Sequence, residues 1–317
     1  MSMPSHQTKK PLLSAGERSA RRGSANLSRG TESGAGTTQV VTSSSRMRLA
    51  VQAAKTSGKT IGFVPTMGAL HRGHLSLVEA SLSQCDQTVV SIFVNPTQFG
   101  PDEDVGRYPR TLDRDLRLLE ELCCPWVFAP SASEMYGAQF DTSIDVGPVA
   151  EPFEGAMRPT HFQGVATVVL KLFQIVPANH AYFGQKDYQQ SLVVKQLARD
   201  LSVPIDIHVQ KIVREEDGLA CSSRNAFLSP AERVRARSLW QSLQLAEQMV
   251  AAGEKSADKI IGQMREQLAR CENVEVEYIA FLEEGTVCEV TTVDRRTVVV
   301  IAARFGQTRL IDNHIIG

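Results

Sequence analysis

No apolar run in this sequence approaches the roughly 18 residues needed to span a bilayer, which excludes a membrane-crossing helix. Net charge is almost absent: 34 Lys and Arg against 35 Asp and Glu leave −1, so bulk charge points to neither a nucleic-acid nor a membrane partner. Cysteine is sparse and unpatterned. The six thiols (Cys85, Cys123, Cys124, Cys221, Cys271, Cys288) contain no C-x-x-C, and the adjacent Cys123–Cys124 pair supports neither a zinc site nor a disulfide framework. Free thiols in a reducing, cytoplasmic setting are expected. No H-E-x-x-H zinc signature occurs, and no repeat of 20–50 residues is visible. What remains is a 317-residue chain, 42% hydrophobic and 22% charged, the composition of a globular protein with one large domain or two ordinary ones.

The first stretch stands apart. "KKPLLSAGERSARRGSANLSRGTESGAGTT" is rich in Ser, Gly and Arg and offers almost nothing to bury, so residues 1–39 are expected to form a flexible extension. It lacks the apolar centre of a secretory signal, while its Arg and Ser content leaves an organelle transit peptide as an alternative. From about Val40 short β-branched runs ("KTIGFVPT", "QTVVSIFVNP", "PWVFAP", "NHAYFGQ", "IDIHVQKIV") alternate with helical patterns ("LSLVEASLSQ", "TLDRDLRLLEELC", "HFQGVATVVLKLFQIV", "YQQSLVVKQLARDL"). That alternation predicts an α/β fold with a doubly wound, Rossmann-like parallel sheet over 40–212. Beyond Val213, two charged helices ("PAERVRARSLWQSLQLAEQMVA" and "SADKIIGQMREQLARC") precede short strands, which predicts a smaller α+β domain over 213–317.

Four polar clusters fall at strand ends or in the loops that follow, where open α/β sheets bind ligands. "PTMGALHRGH" has neither the Gly-x-Gly-x-x-Gly of a dinucleotide site nor the Gly-Lys-Ser/Thr of a phosphate loop. It sets His71 and His74 in the first turn of a helix, whose free N–H groups and positive dipole end favour an anion. Gly68 and Gly73 would let a phosphate approach the backbone. A lone histidine is more often structural; a pair with these glycines at a strand–helix junction favours phosphate chemistry. "FVNPTQFGPDED" offers Asn95 and Gln98 to orient a hydroxy acid or amide, although Asn-Pro is also an ordinary turn. In "FGQKDYQQ", Lys186 follows a strand and can reach a phosphate, while Asp187 could equally cap the next helix. "REEDGLACSSRN" groups Ser222, Ser223 and Arg224, donors suited to the β- and γ-phosphates of a nucleotide. Arg158 and His161 open the long apolar helix, a further anion-friendly place. Cys221, His208 and the run "ERVRAR" read as structural or solvating.

Taken together, these clusters resemble the pantothenate synthetase (pantoate–β-alanine ligase) family of the His-x-Gly-His nucleotidyltransferases. "PTMGALHRGH", "SIFVNPTQFG", "RPTHFQGVATVV", "YFGQKDYQQ", "GLACSSRN" and "TRLIDN" stand in register from about Val40 to Asn313. The resemblance implies ATP as a substrate, a pantoyl-adenylate intermediate, and condensation with β-alanine that releases AMP and pyrophosphate. By the same resemblance ATP is held by Met67, Gly68, Ala69, Leu70, His71, Arg72, Gly73 and His74, by Gly184, Gln185, Lys186 and Asp187, and by Val213, Cys221, Ser222, Ser223 and Arg224. His74 is the implied proton donor, with His71 and Lys186 as catalytic partners. Gln98 and Gln190 are implied for pantoate, and Gln98 also for β-alanine. Mg²⁺ is implied on the triphosphate, with no protein ligand assigned, and a homodimer is implied as the assembly. Cys221 and Thr97 stand where the family often has Met. The rival readings are another His-x-Gly-His adenylyltransferase acting on a phosphate ester, an aminoacyl-tRNA synthetase, which would need a KMSKS-like loop, and a non-catalytic nucleotide-binding protein.

Overall fold

The computed structural model describes residues 38–101 and 103–317, within one compact unit from Gly36 to Gly317. The extension expected over 1–39 therefore lies outside the described residues, except for its last two. Thr38 donates its hydroxyl to the Cys124 carbonyl at 2.8 Å, and Gln39 opens a strand.

The first part of the chain runs β1 (Gln39–Val41), α1 (Ser44–Thr56), β2 (Ile61–Thr66), α2 (Arg72–Gln84), β3 (Gln87–Ile92), α3 (Leu112–Glu121), β4 (Trp126–Phe128), α4 (Ala132–Met135), α5 (Glu154–Met157), α6 (His161–Ile175), β5 (His180–Gly184), α7 (Tyr188–Asp200) and β6 (Asp206–Gln210). The strands form one sheet in the order β1–β4–β3–β2–β5–β6, and every pairing in it is parallel. This is the doubly wound sheet expected from the alternation of runs. β2 and β5 are neighbours, and the chain reverses its direction of travel across the sheet between them. The loops leaving these two strands thus diverge and leave a crevice at their carboxyl ends. β1 had no sequence signature; three residues supply too short a period to read.

Apolar contacts cover both faces of this sheet. Phe63, Val89, Phe173, Val193 and Leu197 pack on one side, and Val64, Val78, Val90, Leu119 and Tyr182 on the other. That double burial is why β2 and β3 read as continuous β-branched runs rather than alternating ones.

After β6 come α8 (Pro230–Ala236), α9 (Ser238–Ala251), α10 (Ala257–Ala269), β7 (Val274–Glu283), β8 (Thr297–Phe305) and β9 (Thr308–Ile316). The last three form an antiparallel sheet. Two details differ from expectation. "PAERVRARSLWQSLQLAEQMVA" breaks into α8 and α9 at Arg237, whose near-helical dihedrals (φ −59°, ψ −23°) leave no trace in the sequence periodicity. The closing strands are also longer than expected, at nine and ten residues. β8 is apolar on both faces because the small sheet is covered twice. Leu239, Leu243, Ile260 and Met264 pack on one side, and Tyr188 and Leu192 of α7 on the other.

A buried ion network joins this sheet to α5. Arg309 Nη1 donates to Glu154 Oε2 at 2.8 Å and Nε to Glu277 Oε2 at 2.7 Å, while the Tyr278 hydroxyl donates to Glu154 Oε1 at 2.8 Å. Burial alone would push the Glu154 carboxyl up, but Arg309 and Tyr278 outweigh it and hold the group below its usual range.

Candidate active site

Between β2 and α2 the backbone makes a tight turn, with φ +82° at Gly68 and +51° at Ala69. Asp115, fully buried in the first turn of α3, shapes it. Its Oδ2 accepts from the Ala69 N–H and its Oδ1 from the Leu70 N–H, both at 2.9 Å. The Thr111 hydroxyl adds contacts of 3.2 Å to both oxygens. Holding a non-glycine residue in the left-handed region costs about 1–2 kcal/mol. Two charge-assisted bonds, each of about 1.5–3 kcal/mol, outweigh that cost.

This turn delivers His71 as the N-cap residue of α2 and His74 one turn into it. Their rings stack with centroids 3.9 Å apart and planes 29° from parallel. A Cβ on Gly73 would meet the His71 ring at 3.1 Å and Cys221 Cβ at 3.4 Å, so this glycine makes room for the imidazole and the incoming second segment. Both Nδ1 atoms are buried without a hydrogen-bond partner. Burial, helped by the Lys186 ammonium, drops His71 to about 4. Burial, then His71 and then Lys186, holds His74 well below its ordinary value. Both rings are neutral near pH 7, with polar atoms unused.

After β3, Asn95 and Gln98 form an ordered amide pair in the short turn Pro96–Gln98. Asn95 Nδ2 donates to Gln98 Oε1 at 3.0 Å and to the Gly164 carbonyl at 3.2 Å. Its Oδ1 accepts from the Tyr136 hydroxyl at 2.7 Å. Gln98 Nε2 is thereby turned towards Met67, 3.3 Å from its sulfur. The Gln98 carbonyl accepts from His161 Nδ1 at 2.9 Å. Arg158 Nη1 lies 3.2 Å from His161 Nε2. Since a guanidinium only donates, that Nε2 must accept, so His161 is a neutral Nδ1–H tautomer. Its pKa agrees: burial first, then Arg158, lowers it to about 4. Arg158 also grips Glu103 from the adjoining loop, at 2.7 and 2.6 Å. His161 and Arg158 therefore brace the Gln98 turn.

After β5, Lys186 and Asp187 lie at the start of α7. Asp187 is the N-cap residue but makes no capping bond. Its carboxylate faces the Lys186 ammonium at 3.3 Å instead. Burial would raise its pKa; Lys186 and Arg224 overcome that and lower it. From the far side, Cys221 donates its N–H to the Val213 carbonyl at 2.9 Å, which starts the turn bearing Ser222, Ser223 and Arg224. The Tyr108 and Ser223 hydroxyls lie 3.1 Å apart, linking this turn to the loop after β3.

These pieces surround one cleft of about 1220 Å³, its mouth included. Among the expected residues, Met67, His71, Gly73, His74, Gln98, Gly184, Lys186, Asp187, Gln190, Val213, Cys221, Ser222, Ser223 and Arg224 line it. Gly68, Ala69, Leu70, Arg72 and Gln185 do not. Leu70 points into the core, Arg72 is exposed, and the Gln185 side chain turns to Asn313. Sequence reasoning missed Tyr108, Lys211 and the apolar wall of Val165, Val168, Val169 and Leu172. The wall had a readable signal. These four share one face of α6 at i, i+3, i+4, i+7 spacing, in a helix apolar almost all round.

The cleft thus has a cationic, hydroxyl-rich end beside neutral imidazoles, and an end where oriented amides meet aliphatic side chains. The family profile described as Pantoate-beta-alanine ligase matches residues 39–315. A pantothenate synthetase of Thermotoga petrophila is 50% identical over 259 residues, 82% of this chain and 92% of that protein. The crystal structure of pantothenate synthetase from Thermus thermophilus superposes with a TM-score of 0.83 at 43% identity, covering 87% of this chain and 98% of that one. A pantoate-beta-alanine ligase from Francisella tularensis, complexed with beta-gamma ATP and beta-alanine, has a TM-score of 0.73 at 32% identity, covering 88% and 97%. With a family match across nearly all of its described residues, this chain belongs to the pantoate–β-alanine ligase family.

Proposed function

We propose that this protein is an AMP-forming ligase that condenses pantoate with β-alanine to give pantothenate, a coenzyme A precursor. The observation that carries the reading is the single cleft in which the His71–His74 pair, Lys186 and Ser222–Arg224 meet Gln98 and Gln190. A carboxylate is a poor acyl donor. Attack of a pantoate carboxylate oxygen on the α-phosphorus of ATP breaks the bond to pyrophosphate and leaves a pantoyl adenylate. The β-alanine amine then attacks the acyl carbon, the bond to AMP breaks, and the nitrogen loses a proton. Neither step needs a covalent enzyme nucleophile, so catalysis consists of alignment and charge stabilisation.

In this reading Lys186 and Arg224 bind phosphate oxygens, and His71 and His74 offer N–H donors at the α-phosphate. The negative charge of the triphosphate raises the affinity of both rings for a proton, which makes His74 a proton donor in the complex. Gln98 and Gln190 hold the acid's hydroxyl and carboxylate groups, with Gln98 also beside the amine, and α6 packs against its aliphatic carbons. Asp187 is the carboxylate among the cleft-lining residues, and among the described residues no group of three His, Cys, Asp or Glu side chains is arranged to hold a metal. That donor set suits Mg²⁺ carried chiefly by the triphosphate, where it would neutralise charge on the departing pyrophosphate. Residues 40–212 and 213–317 are proposed as the two domains that close on the nucleotide. A homodimer in the cytoplasm is the proposed working form; among the described residues no helix is long and apolar enough to cross a membrane.

The test is product analysis with ATP, pantoate and β-alanine. AMP, pyrophosphate and pantothenate in equal amounts are expected, with pyrophosphate–ATP exchange that requires pantoate but not β-alanine. ADP as product, or exchange without pantoate, would refute the reading. In His74→Ala, pantoate-dependent exchange should fall far more than pantoate binding.

A further inference from the structure

The last strand carries a pair of buried polar residues with no place in the chemistry above. Asp312 is 3% exposed and Asn313 2%. Such burial is costly unless every polar atom is matched. Here the matches lead back to the cleft from both sides. Asn313 Nδ2 donates to the Gln185 carbonyl and to the Lys186 carbonyl, each at 2.9 Å. Its Oδ1 accepts from Gln185 Nε2 at 3.1 Å. Asp312 takes the Arg214 guanidinium in a fork, Nη1 to Oδ2 at 2.6 Å and Nη2 to Oδ1 at 3.1 Å. Arg214 Nη2 also reaches the Asn313 carbonyl at 3.3 Å.

Arg214 directly follows Val213 and pairs with Ala220 across an antiparallel bridge, so it sits at the base of the hairpin that ends in Cys221–Arg224. Its guanidinium also lies 3.7 Å over the Trp240 ring, which leaves it little freedom. The two arms of the cleft that carry its cations, one from β5 and one from this hairpin, are therefore fastened to the same dipeptide. The strands they leave, β5 and β6, pair in parallel as far as Gly184 and Gln210, with the Gln185 N–H on the Gln210 carbonyl at 2.8 Å. Beyond that rung, β9 bonds to both arms.

We propose that Asn313, together with Asp312, is a positioning residue that fixes the spacing of the Lys186 and Ser222–Arg224 arms to suit a triphosphate. This rests on the phosphate-binding roles given to those arms above. The chemistry of the side chain is specific. Only an amide presents two donors to two carbonyls and one acceptor to Gln185 Nε2 in this volume. A carboxylate of the same shape would set oxygen against oxygen.

The experiment measures ATP and AMP dissociation constants by calorimetry for the full chain and for Asn313→Asp, Asn313→Ala and Arg214→Lys. One or two lost buried bonds correspond to a roughly tenfold to hundredfold weaker ATP complex. AMP, which lacks the phosphates those arms hold, is expected to change less than threefold. A merely structural defect would weaken both nucleotides alike, and equal weakening would overturn the proposal. So would ATP affinity within twofold of the parent in both Asn313 variants. If Asn313→Asp does not fold, Asn313→Ala and Arg214→Lys carry the same comparison. A mutant cycle supplies the second readout. In a Lys186→Ala background the effect of Asn313→Ala on ATP binding should shrink to under threefold, and full persistence there would refute action through Lys186. Because nucleotide binding is read directly, absence of pantothenate formation would count against the proposed reaction alone.

Discussion

Replacing Asp115 by Asn tests whether the turn presenting His71 is held by a carboxylate. The residue is fully buried, and its two oxygens accept the N–H groups of Ala69 and Leu70 at 2.9 Å each. An amide of the same shape keeps one acceptor and turns its NH₂ against the other N–H. One charge-assisted bond is lost, about 1.5–3 kcal/mol, and a buried donor goes unmatched at about 1–3 kcal/mol. Relief of burying a charge offsets part of this, leaving a net local cost of about 2–4 kcal/mol. With +51° at Ala69 no longer compensated, the turn should open more often than the sheet beneath it. Hydrogen exchange read on the 67–72 segment should therefore show Ala69 and Leu70 exchanging roughly 30-fold to 1000-fold faster, since 1.4 kcal/mol is tenfold. Amides of β2 should change far less. Pantoate-dependent pyrophosphate exchange should fall in parallel, because His71 follows Leu70 directly. Exchange rates at Ala69 and Leu70 within threefold of the parent would refute the argument.

Two other perturbations follow from contacts at the site. In Gly164→Ala, the new Cβ would lie 2.3 Å from the Thr97 carbonyl oxygen and 2.6 Å from Gln98 Cα, all unyielding backbone. The Gln98 turn must shift, at an overpacking cost of about 1–3 kcal/mol, and steady-state kinetics should show a raised KM for pantoate with little change for ATP; an unchanged pantoate KM would contradict this. The second concerns pH. His71 and His161 are both held to about 4 in the fold against 6.5 when unfolded. Folding thus favours the neutral rings, so their stabilising contribution is complete above pH 6.5 and is lost as pH falls towards 4. A Tm that declines as the pH falls from 6.5 to 5 is the expected outcome. Proton NMR of the ring Cε1–H signals should show both residues untitrated from pH 7.5 to 5.5; a midpoint near 6.5 for either would sink the reasoning.

Much of the sheet was legible because burial on both faces leaves continuous β-branched runs, and because helices between them fill ten or more residues. The histidine pair, Lys186 and the Ser222–Arg224 cluster were legible for a related reason: polar side chains at strand ends have few structural uses there. Asp115 was not. In "TLDRDLRLLEELC" it reads as one more charge on a solvated helix, and nothing nearby in sequence shows that it is buried against a turn 45 residues earlier. For Gly73 and Asp187, neighbours add what spacing leaves open. Gly73 lines the cleft and also makes room for the His71 ring, and of the two readings open for Asp187 the capping bond is not made, its carboxylate facing the Lys186 ammonium instead.

Local periodicity and residue type at junctions suffice for the parallel α/β fold, the strand ends at which ligands bind, and the polar cleft residues His71, His74, Gln98, Lys186 and Ser222–Arg224, while Met67, Gln190, Val213 and Cys221 came from the family resemblance. What those side chains are depends on tertiary contacts. Neutral imidazoles require burial next to Lys186, an aimed Gln98 requires His161 and Arg158, and the spacing of the two cationic arms requires Asp312 and Asn313 from the far end of the chain. Those properties arise from desolvation and from hydrogen bonds between residues as many as 128 positions apart, which no reading of neighbours along the chain contains.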